Sequence, residues 1–125
     1  MPDKSKGTVL VVDDDLSLLR ALTRLLLQFG FDVRSFQSAE AFLSTRIPAG
    51  KVCALVDIYL PGMSGIQLCA ALAAARRAIP LILMSARDDE GTKRKASQSG
   101  AVATLYKPID EGVLLAALGR ALGDK

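Results

Sequence analysis

Residues 8–15 read Thr-Val-Leu-Val-Val-Asp-Asp-Asp, and residues 52–57 read Val-Cys-Ala-Leu-Val-Asp. Each stretch is a continuous apolar run, rich in Val and Leu, that stops at carboxylates. Uninterrupted runs of this kind are typical of strands that are buried on both faces, as in a parallel sheet with helices on either side. These two stretches therefore predict central strands whose carboxyl ends carry Asp13, Asp14 and Asp57.

Three further segments predict the rest of the sheet. Residues 81–84 form an apolar run that follows Pro80 and ends at Ser85, and residues 101–106 end at Lys107. Residues 32–36 are short and alternate between apolar and polar side chains, which favours a strand near a sheet edge.

Helical patterns separate these strands. Leu19, Leu22, Leu26 and Phe29 recur at helical spacing before Gly30, and Asp15 is expected to cap that helix. The other predicted helices are Ala39 to about Arg46 after Ser38, a segment through Ile66 and Ala73, a short or mobile polar helix within 88–99, and an amphipathic helix from Val113 to Leu122. About five β-α units in succession predict a doubly wound α/β domain with a parallel sheet.

Composition limits the class of protein. The 125 residues suit one domain, here the whole chain 1–125 with a core of about residues 8–122, and they contain no histidine. Histidine general bases, Ser-His-Asp triads and His-ligated metals are thus excluded. A net charge of +3 with 5% aromatic residues gives no sign of direct nucleic-acid binding. No apolar stretch is long enough to insert into a membrane. Cys53 and Cys69 are expected to be reduced core thiols, which favours a cytoplasmic protein.

Chemically active side chains follow four of the predicted strands. Open α/β sheets bind ligands at the carboxyl ends of their strands, so these groups are expected to meet at one edge. Carboxylates in close proximity need a cation, and hard oxygen ligands favour Mg²⁺. A lysine supplies a positive charge for a phosphoryl oxygen, and a serine supplies a donor. Together they could transfer a phosphoryl group onto or off an aspartate. The groups are Asp13, Asp14, Asp57, Ser85 and Lys107.

Four motifs in this order resemble the receiver domain of two-component response regulators. They are Val-Val-Asp-Asp-Asp at 11–15, Val-Asp-Ile-Tyr-Leu-Pro-Gly-Met-Ser-Gly at 56–65, Met-Ser-Ala at 84–86 and Lys-Pro at 107–108. The resemblance covers essentially the whole chain. It implies a flavodoxin-like (βα)5 fold of three layers, with a five-stranded parallel sheet in strand order 2-1-3-4-5.

The resemblance also implies a role for each site residue. Asp57 would accept a phosphoryl group from a phosphohistidine of a sensor histidine kinase or a histidine phosphotransfer protein. Ser85 and Lys107 would contact the phosphoryl group, and the Lys107-Pro108 bond would be cis. The implied Mg²⁺ ligands are Asp13, directly or through water, Asp14, Asp57 and the backbone carbonyl of Tyr59. The protein would be a phosphoacceptor signalling domain that autodephosphorylates, rather than a conventional enzyme.

One position departs from the family pattern. Receivers usually carry Phe or Tyr three residues before the lysine, a side chain whose burial follows phosphorylation, and this chain has Thr104 there. Tyr106 lies two residues later on the same strand face. Either Tyr106 replaces part of the aromatic switch, or it only covers the strand end and switching depends on Ser85 and the polar loop that follows it.

Two other functions remain as alternatives. Asp13 and Asp15 form an Asp-x-Asp pair after a strand, as in haloacid-dehalogenase-like phosphatases, with Asp13 as nucleophile. An unphosphorylated scaffold with receiver form is the second alternative. Within the receiver interpretation, no output domain follows residue 122. The chain is therefore expected to bind an unidentified downstream protein or to be the receiver of a longer regulator, and a phosphorylation-dependent homodimer is a further expectation.

Overall fold

The computed structural model describes residues 5–77 and 79–123. Within these ranges strands and helices alternate strictly along the chain, as the sequence predicts. The elements are β1 (Thr8–Val12), α1 (Leu16–Gln28), β2 (Asp32–Phe36), α2 (Ala39–Leu43), β3 (Val52–Asp57), α3 (Gly65–Ala74), β4 (Leu81–Ser85), α4 (Glu90–Ser97), β5 (Ala103–Tyr106) and α5 (Glu111–Leu122).

The strands form one parallel sheet in the order β2-β1-β3-β4-β5. The predicted flavodoxin-like order is therefore confirmed, and so is the edge position of residues 32–36. Every side chain of β3 and β4 is buried, whereas β2 is partly exposed. This difference explains why β3 reads as a continuous apolar run and β2 alternates.

Two hydrophobic clusters cover the two faces of the sheet and make the three layers. One cluster lies between the sheet and helices α1 and α5, and the other between the sheet and helices α2, α3 and α4. Alternate residues of one strand therefore belong to different clusters. In β3, Cys53 and Leu55 pack on the first face, and Ala54 and Val56 pack on the second.

Local side-chain bonds fix where the helices begin. The Asp15 carboxylate accepts hydrogen bonds from the N–H groups of Ser17 and Leu18, so its predicted capping role is confirmed. At α3, the Ser64 hydroxyl accepts from the Gln67 N–H at 3.1 Å, and the Gln67 side chain accepts from the Ser64 N–H at 2.8 Å. This reciprocal pair fixes the first residue of α3 at Gly65.

Helix α2 is shorter than predicted, because it ends at Leu43 and not near Arg46. The guanidinium of Arg77 donates to the Leu43 carbonyl at 3.2 Å and to the Thr45 carbonyl at 3.1 Å. In a longer helix, such carbonyls would accept hydrogen bonds from N–H groups one turn later, and here Arg77 satisfies them instead. Such a contact joins residues more than thirty positions apart, so local sequence patterns do not predict it.

Two other boundaries refine the predictions. β5 begins at Ala103, two residues later than predicted. The Val102 N–H donates to the Leu81 carbonyl at 2.8 Å just before the strand begins.

The polar segment 88–99 does form a short helix, α4, in which only Thr92 and Ala96 are buried. Among the described residues, no helix has the length and apolar character that a membrane crossing requires.

Gly65 allows α3 to approach the carboxyl end of β3 very closely. A Cβ at Gly65 would overlap the Asp57 carbonyl oxygen and lie 3.0 Å from the Ile58 Cα, whereas a Cβ at Gly119 in α5 would meet nothing within 4 Å. We expect Gly65→Ala to lower the free energy of unfolding by about 1–3 kcal/mol through overpacking. The matched variant Gly119→Ala is expected to raise it by about 0.5–1 kcal/mol. Urea unfolding followed by circular dichroism measures both, and equal effects would contradict the close approach.

The two thiols are expected to differ in reactivity. Cys53 is fully buried in β3, and burial raises the pKa of its thiol to about 12. Cys69 is free and half-buried. Because the thiolate is the reactive form, a disulfide reagent at mildly alkaline pH should modify Cys69 well before Cys53. In a Cys69→Ser variant, Cys53 should react only as fast as the protein unfolds. Rapid modification of Cys53 in that folded variant would show that β3 is more accessible than the structure indicates.

Candidate functional site

Backbone hydrogen bonds hold the site residues just beyond the carboxyl ends of the strands. The Asp13 N–H donates to the Phe36 carbonyl at 3.1 Å, which extends the pairing of β1 with β2 by one residue. The Ile58 N–H donates to the Met84 carbonyl at 2.8 Å, and the Lys107 N–H donates to the Ser85 carbonyl at 2.8 Å. The sheet itself therefore sets the separation of these side chains. The Lys107-Pro108 peptide bond is cis, as predicted.

Lys107 lies between two buried carboxylates. Its Nζ is 2.9 Å from Oδ2 of Asp13 and 3.3 Å from Oδ2 of Asp57. Partial burial acts to lower the pKa of Lys107, but the hydrogen bond to Asp13 and the charges of Asp57 and Asp13 outweigh it and raise the pKa. The ammonium group is therefore charged at neutral pH, and it neutralises part of the repulsion between the two carboxylates.

Asp57 retains a small exposed fraction, while Asp13 has none. Their relative exposures are 6% and 0%. Oδ1 of Asp57 accepts the Tyr59 N–H at 3.3 Å, and Oδ1 of Asp13 accepts the Asp15 N–H at 2.9 Å. Burial raises the pKa of the Asp57 carboxyl and the charge of Asp13 raises it further, although Lys107 and the Tyr59 N–H oppose these effects. Because of the difference in exposure, solvent can reach Asp57 but not Asp13.

Three carboxylates are close enough to share one metal ion. Asp13, Asp14 and Asp57 each offer an oxygen, and these oxygens lie within 4.8 Å of one another. Asp14 is exposed and the other two are buried, so the cluster opens toward solvent on one side. Hard carboxylate donors fit Mg²⁺ or Ca²⁺ and do not fit soft metals. The ligand role of the Tyr59 carbonyl stays a prediction.

The Ser85 side chain is buried and bonded to the main chain of Arg87. Its hydroxyl donates to the Arg87 carbonyl at 2.7 Å and accepts from the Arg87 N–H at 2.9 Å. The structure thus brings Ser85 to the predicted edge but pairs its hydroxyl with the following loop rather than with Asp57.

Thr104 and Tyr106 lie on one face of β5, the face that also holds α4. Their partners in the register are Leu83 and Ser85 of β4, and both side chains are partly buried. The predicted common face is confirmed, while a switching role for either residue stays a prediction.

Sequence reasoning missed Thr92, which joins helix α4 to the segment that follows β3. Its hydroxyl is 2.5 Å from the Tyr59 hydroxyl and donates to Oδ1 of Asp89 at 2.7 Å. Tyr59 in turn lies under the Arg87 guanidinium, whose carbon is 4.7 Å from the ring centroid. The one available signal was the four-residue spacing of Thr92 and Ala96, which places two small side chains on one face of an otherwise charged helix.

Comparisons with known proteins agree with this geometry. The family model of the response regulator receiver domain matches residues 9–119. Nodulation protein W of Bradyrhizobium diazoefficiens is 36% identical over 114 residues, which are 91% of this chain and 50% of that protein. Transcriptional regulatory protein TdiR of Thauera aromatica is 38% identical over 116 residues, which are 93% of this chain and 51% of that protein. The chain therefore spans about half the length of these curated relatives.

Solved structures give the same family. The response regulator StyR is 39% identical with a TM-score of 0.86, and the match covers 95% of this chain and 60% of that one. The crystal structure of FixJ-N is 32% identical with a TM-score of 0.86, and the match covers 100% of this chain and 98% of that one. Fold, carboxylate cluster and sequence relatives agree, and this chain belongs to the response regulator receiver domain family of two-component signalling.

Proposed function

We propose that Asp57 accepts a phosphoryl group from the phosphohistidine of a sensor histidine kinase or a histidine phosphotransfer protein. The observation that carries this proposal is the Lys107 ammonium held 3.3 Å from a carboxylate that is buried but reachable. A carboxylate oxygen of Asp57 attacks the phosphorus and forms a P–O bond. The P–N bond breaks, and its electron pair stays on the imidazole nitrogen of the donor. Lys107 is placed to offset negative charge on the phosphoryl oxygens.

Magnesium is part of the proposal. Asp13, Asp14, Asp57 and the Tyr59 carbonyl would hold Mg²⁺, and the ion when bound would supply positive charge next to the phosphoryl oxygens. The carboxylate cluster supports this assignment, since its three oxygens are hard donors within 4.8 Å of one another. Lys107 offsets part of the charge of Asp13 and Asp57, the two buried carboxylates of the cluster.

Ser85 would donate its hydroxyl hydrogen to a phosphoryl oxygen. A serine hydroxyl has one hydrogen, and here that hydrogen goes to the Arg87 carbonyl at 2.7 Å. Donation to the phosphoryl group therefore requires Ser85 to leave Arg87. Later attack of water on the phosphorus would return Asp57 to its free form, and the domain would complete a signalling cycle rather than turn over an external substrate.

The alternative with Asp13 as a phosphatase nucleophile has less support. Both carboxylates, Asp13 and Asp57, accept one main-chain hydrogen bond and one from Lys107, but Asp13 is 0% exposed whereas Asp57 is 6% exposed. A phosphoryl donor therefore has exposed surface to approach at Asp57 and none at Asp13. Asp57 is therefore the better nucleophile.

We propose that residues 1–125 act as a single signalling domain in the cytoplasm, where phosphorylation changes binding to a downstream protein or to a second copy of the domain. Two relatives, TdiR and FixJ, are named transcriptional regulatory proteins, and this chain spans 51% and 58% of their lengths. The effect on transcription in such proteins would require residues beyond the part matched here.

Phosphorylation of Asp57 can be tested by intact-protein mass spectrometry. After incubation with acetyl phosphate and Mg²⁺, the wild-type chain should gain one phosphoryl group, because the small donor replaces the kinase. Asp57→Asn keeps the shape but removes the nucleophile, so it should gain none. Asp88→Asn, which changes an exposed carboxylate nearby, should behave as wild type. An adduct that persists in Asp57→Asn would place the nucleophile elsewhere.

Metal binding can be tested without phosphorylation. Millimolar Mg²⁺ should raise the melting temperature of the wild-type chain, because an ion that binds only the folded state stabilises it. At a roughly ten- to hundredfold excess over Kd, the gain is about 1–3 kcal/mol. Asp14→Asn should lose most of the shift. The adjacent variant Asp15→Asn keeps a side chain that can cap α1 and should retain the shift. A shift that NaCl of equal ionic strength reproduces would argue against a specific site.

A further inference from the structure

Four side chains from three segments contact one another next to the site. We call them the α4 strap: Tyr59 after β3, Arg87 and Asp89 after β4, and Thr92 in α4. The Tyr59 and Thr92 hydroxyls are 2.5 Å apart, and Thr92 donates to Asp89 at 2.7 Å. Arg87 lies over the Tyr59 ring at 4.7 Å, and its Nε is 3.4 Å from Oδ1 of Asp89. The strap therefore forms a closed ring of contacts in which each member has two neighbours.

Helix α4 has few buried side chains. Of residues 90–97, only Thr92 and Ala96 are buried, at 1% and 5% exposure, and the remaining side chains are exposed. One of the two anchors is thus a hydroxyl whose burial is acceptable only while it is hydrogen-bonded. The other is a methyl group that buries little apolar area. Loss of the Thr92 bonds would leave α4 with little to hold it against the sheet.

Both sides of the strap are attached to groups of the proposed phosphorylation site. The Tyr59 N–H donates to Oδ1 of Asp57 at 3.3 Å, so the main chain that carries the Tyr59 ring is bonded to the proposed phosphoacceptor. The Ser85 hydroxyl holds the Arg87 main chain by two bonds, at 2.7 Å and 2.9 Å. A change at Asp57 or Ser85 therefore alters a main-chain hydrogen bond of a strap residue, Tyr59 or Arg87.

We propose that the α4 strap is the device through which the phosphorylation site controls helix α4, and that Tyr59 is its aromatic member. This inference rests on the proposed function. When Ser85 turns to the phosphoryl group it releases Arg87, the Arg87 contacts with Tyr59 and Asp89 loosen, and Thr92 loses its fixed partners. Tyr59 and Thr92 are positioning residues in this scheme, since they act on α4 and not on the reacting atoms.

Charge within the strap is consistent with this arrangement. The hydrogen bond from Thr92 lowers the pKa of Asp89, and the positive charge of Arg87 lowers it further. Asp89 is thus ionised over the physiological range. The strap therefore combines a hydrogen bond from Thr92 to the charged Asp89 with a neutral hydrogen bond between Tyr59 and Thr92. Tyr106 is the register partner of Ser85 on the neighbouring strand β5.

The test compares hydrogen–deuterium exchange of the α4 amides in four variants of the full chain. Thr92→Val and Tyr59→Phe each remove one strap hydroxyl and keep the side-chain shape. Thr104→Val and Tyr106→Phe make the same chemical changes on the neighbouring strand β5. Val and Thr have similar helix propensities, so a difference at residue 92 reports the lost bonds.

In the unmodified chain, we expect exchange in α4 to be about 2- to 10-fold faster in Thr92→Val and Tyr59→Phe, the factor that corresponds to one net hydrogen bond. In the double variant Thr92→Val/Tyr59→Phe, α4 exchange should be only slightly faster than in Thr92→Val alone, because the strap acts as a unit. The two β5 variants should match wild type. Unchanged α4 exchange in Thr92→Val, or an equal increase in the β5 variants, would overturn the proposal that the strap holds α4.

After treatment with acetyl phosphate and Mg²⁺, α4 exchange in the wild-type chain should rise toward the level of Thr92→Val, whose own exchange should change little. Intact mass on the same samples records the adduct. A wild-type adduct with no change in α4 would overturn the coupling while leaving the proposed function in place. Absence of an adduct would overturn the proposed function and the coupling with it, and the unmodified samples would still decide whether the strap holds α4.

Discussion

The contact of Lys107 with Asp13 and Asp57 is the constraint on which the rest of the site depends. Parallel strands that end together bring their terminal side chains together, and in this sheet two of those side chains are carboxylates on neighbouring strands, β1 and β3. Such a pair repels and resists burial. Lys107 starts from the end of β5, on the far side of β4, and reaches both carboxylates at 2.9 Å and 3.3 Å. The strand order therefore matters chemically, because it sets how far the cation must reach.

A buried, partly neutralised carboxylate pair is a costly feature, and the surrounding fold offsets that cost by packing. The strands that carry the site are apolar along nearly their whole length and are covered on both faces, so the sheet edge cannot relax when charge accumulates there. Gly65 contributes in the same way, since the lack of a Cβ lets α3 begin directly against the Asp57 backbone. Strands β1, β3 and β4 are almost entirely buried, whereas in α4 only Thr92 and Ala96 are buried. Deeply buried strands and a sparsely buried helix thus meet at the site.

The sequence predicts the parts of this arrangement that depend on local or periodic patterns. Buried parallel strands are recognisable from their composition, and the groups at their ends must meet because the strands are parallel, so the convergence of Asp13, Asp57 and Lys107 could be predicted. The Asp15 cap is local and could be predicted as well. The strap could not, because Thr92 and Tyr59 are 33 residues apart and their contact depends on where α4 packs. The early end of α2 at Leu43 is similar, since Arg77 fixes it from a distant loop. Ser85 was predicted at the right place, but its bonds to Arg87 depend on the loop conformation.

The presence of Thr104 where receivers usually carry Phe or Tyr is consistent with a coupling through the α4 strap. An aromatic residue on β5 can report on the site only by moving between buried and exposed positions, and Thr104 is too small to do so. Tyr59 needs no such movement of β5, because its N–H contacts Asp57 and its hydroxyl contacts α4. A coupling between two sites requires an element with two arrangements that both sites bias. Ser85 has a single hydroxyl hydrogen, so it can hold the Arg87 carbonyl or a phosphoryl oxygen but not both. In the proposed switch, that exclusive choice would provide the two arrangements, and the weak packing of α4 would let the change of one hydrogen bond move the helix.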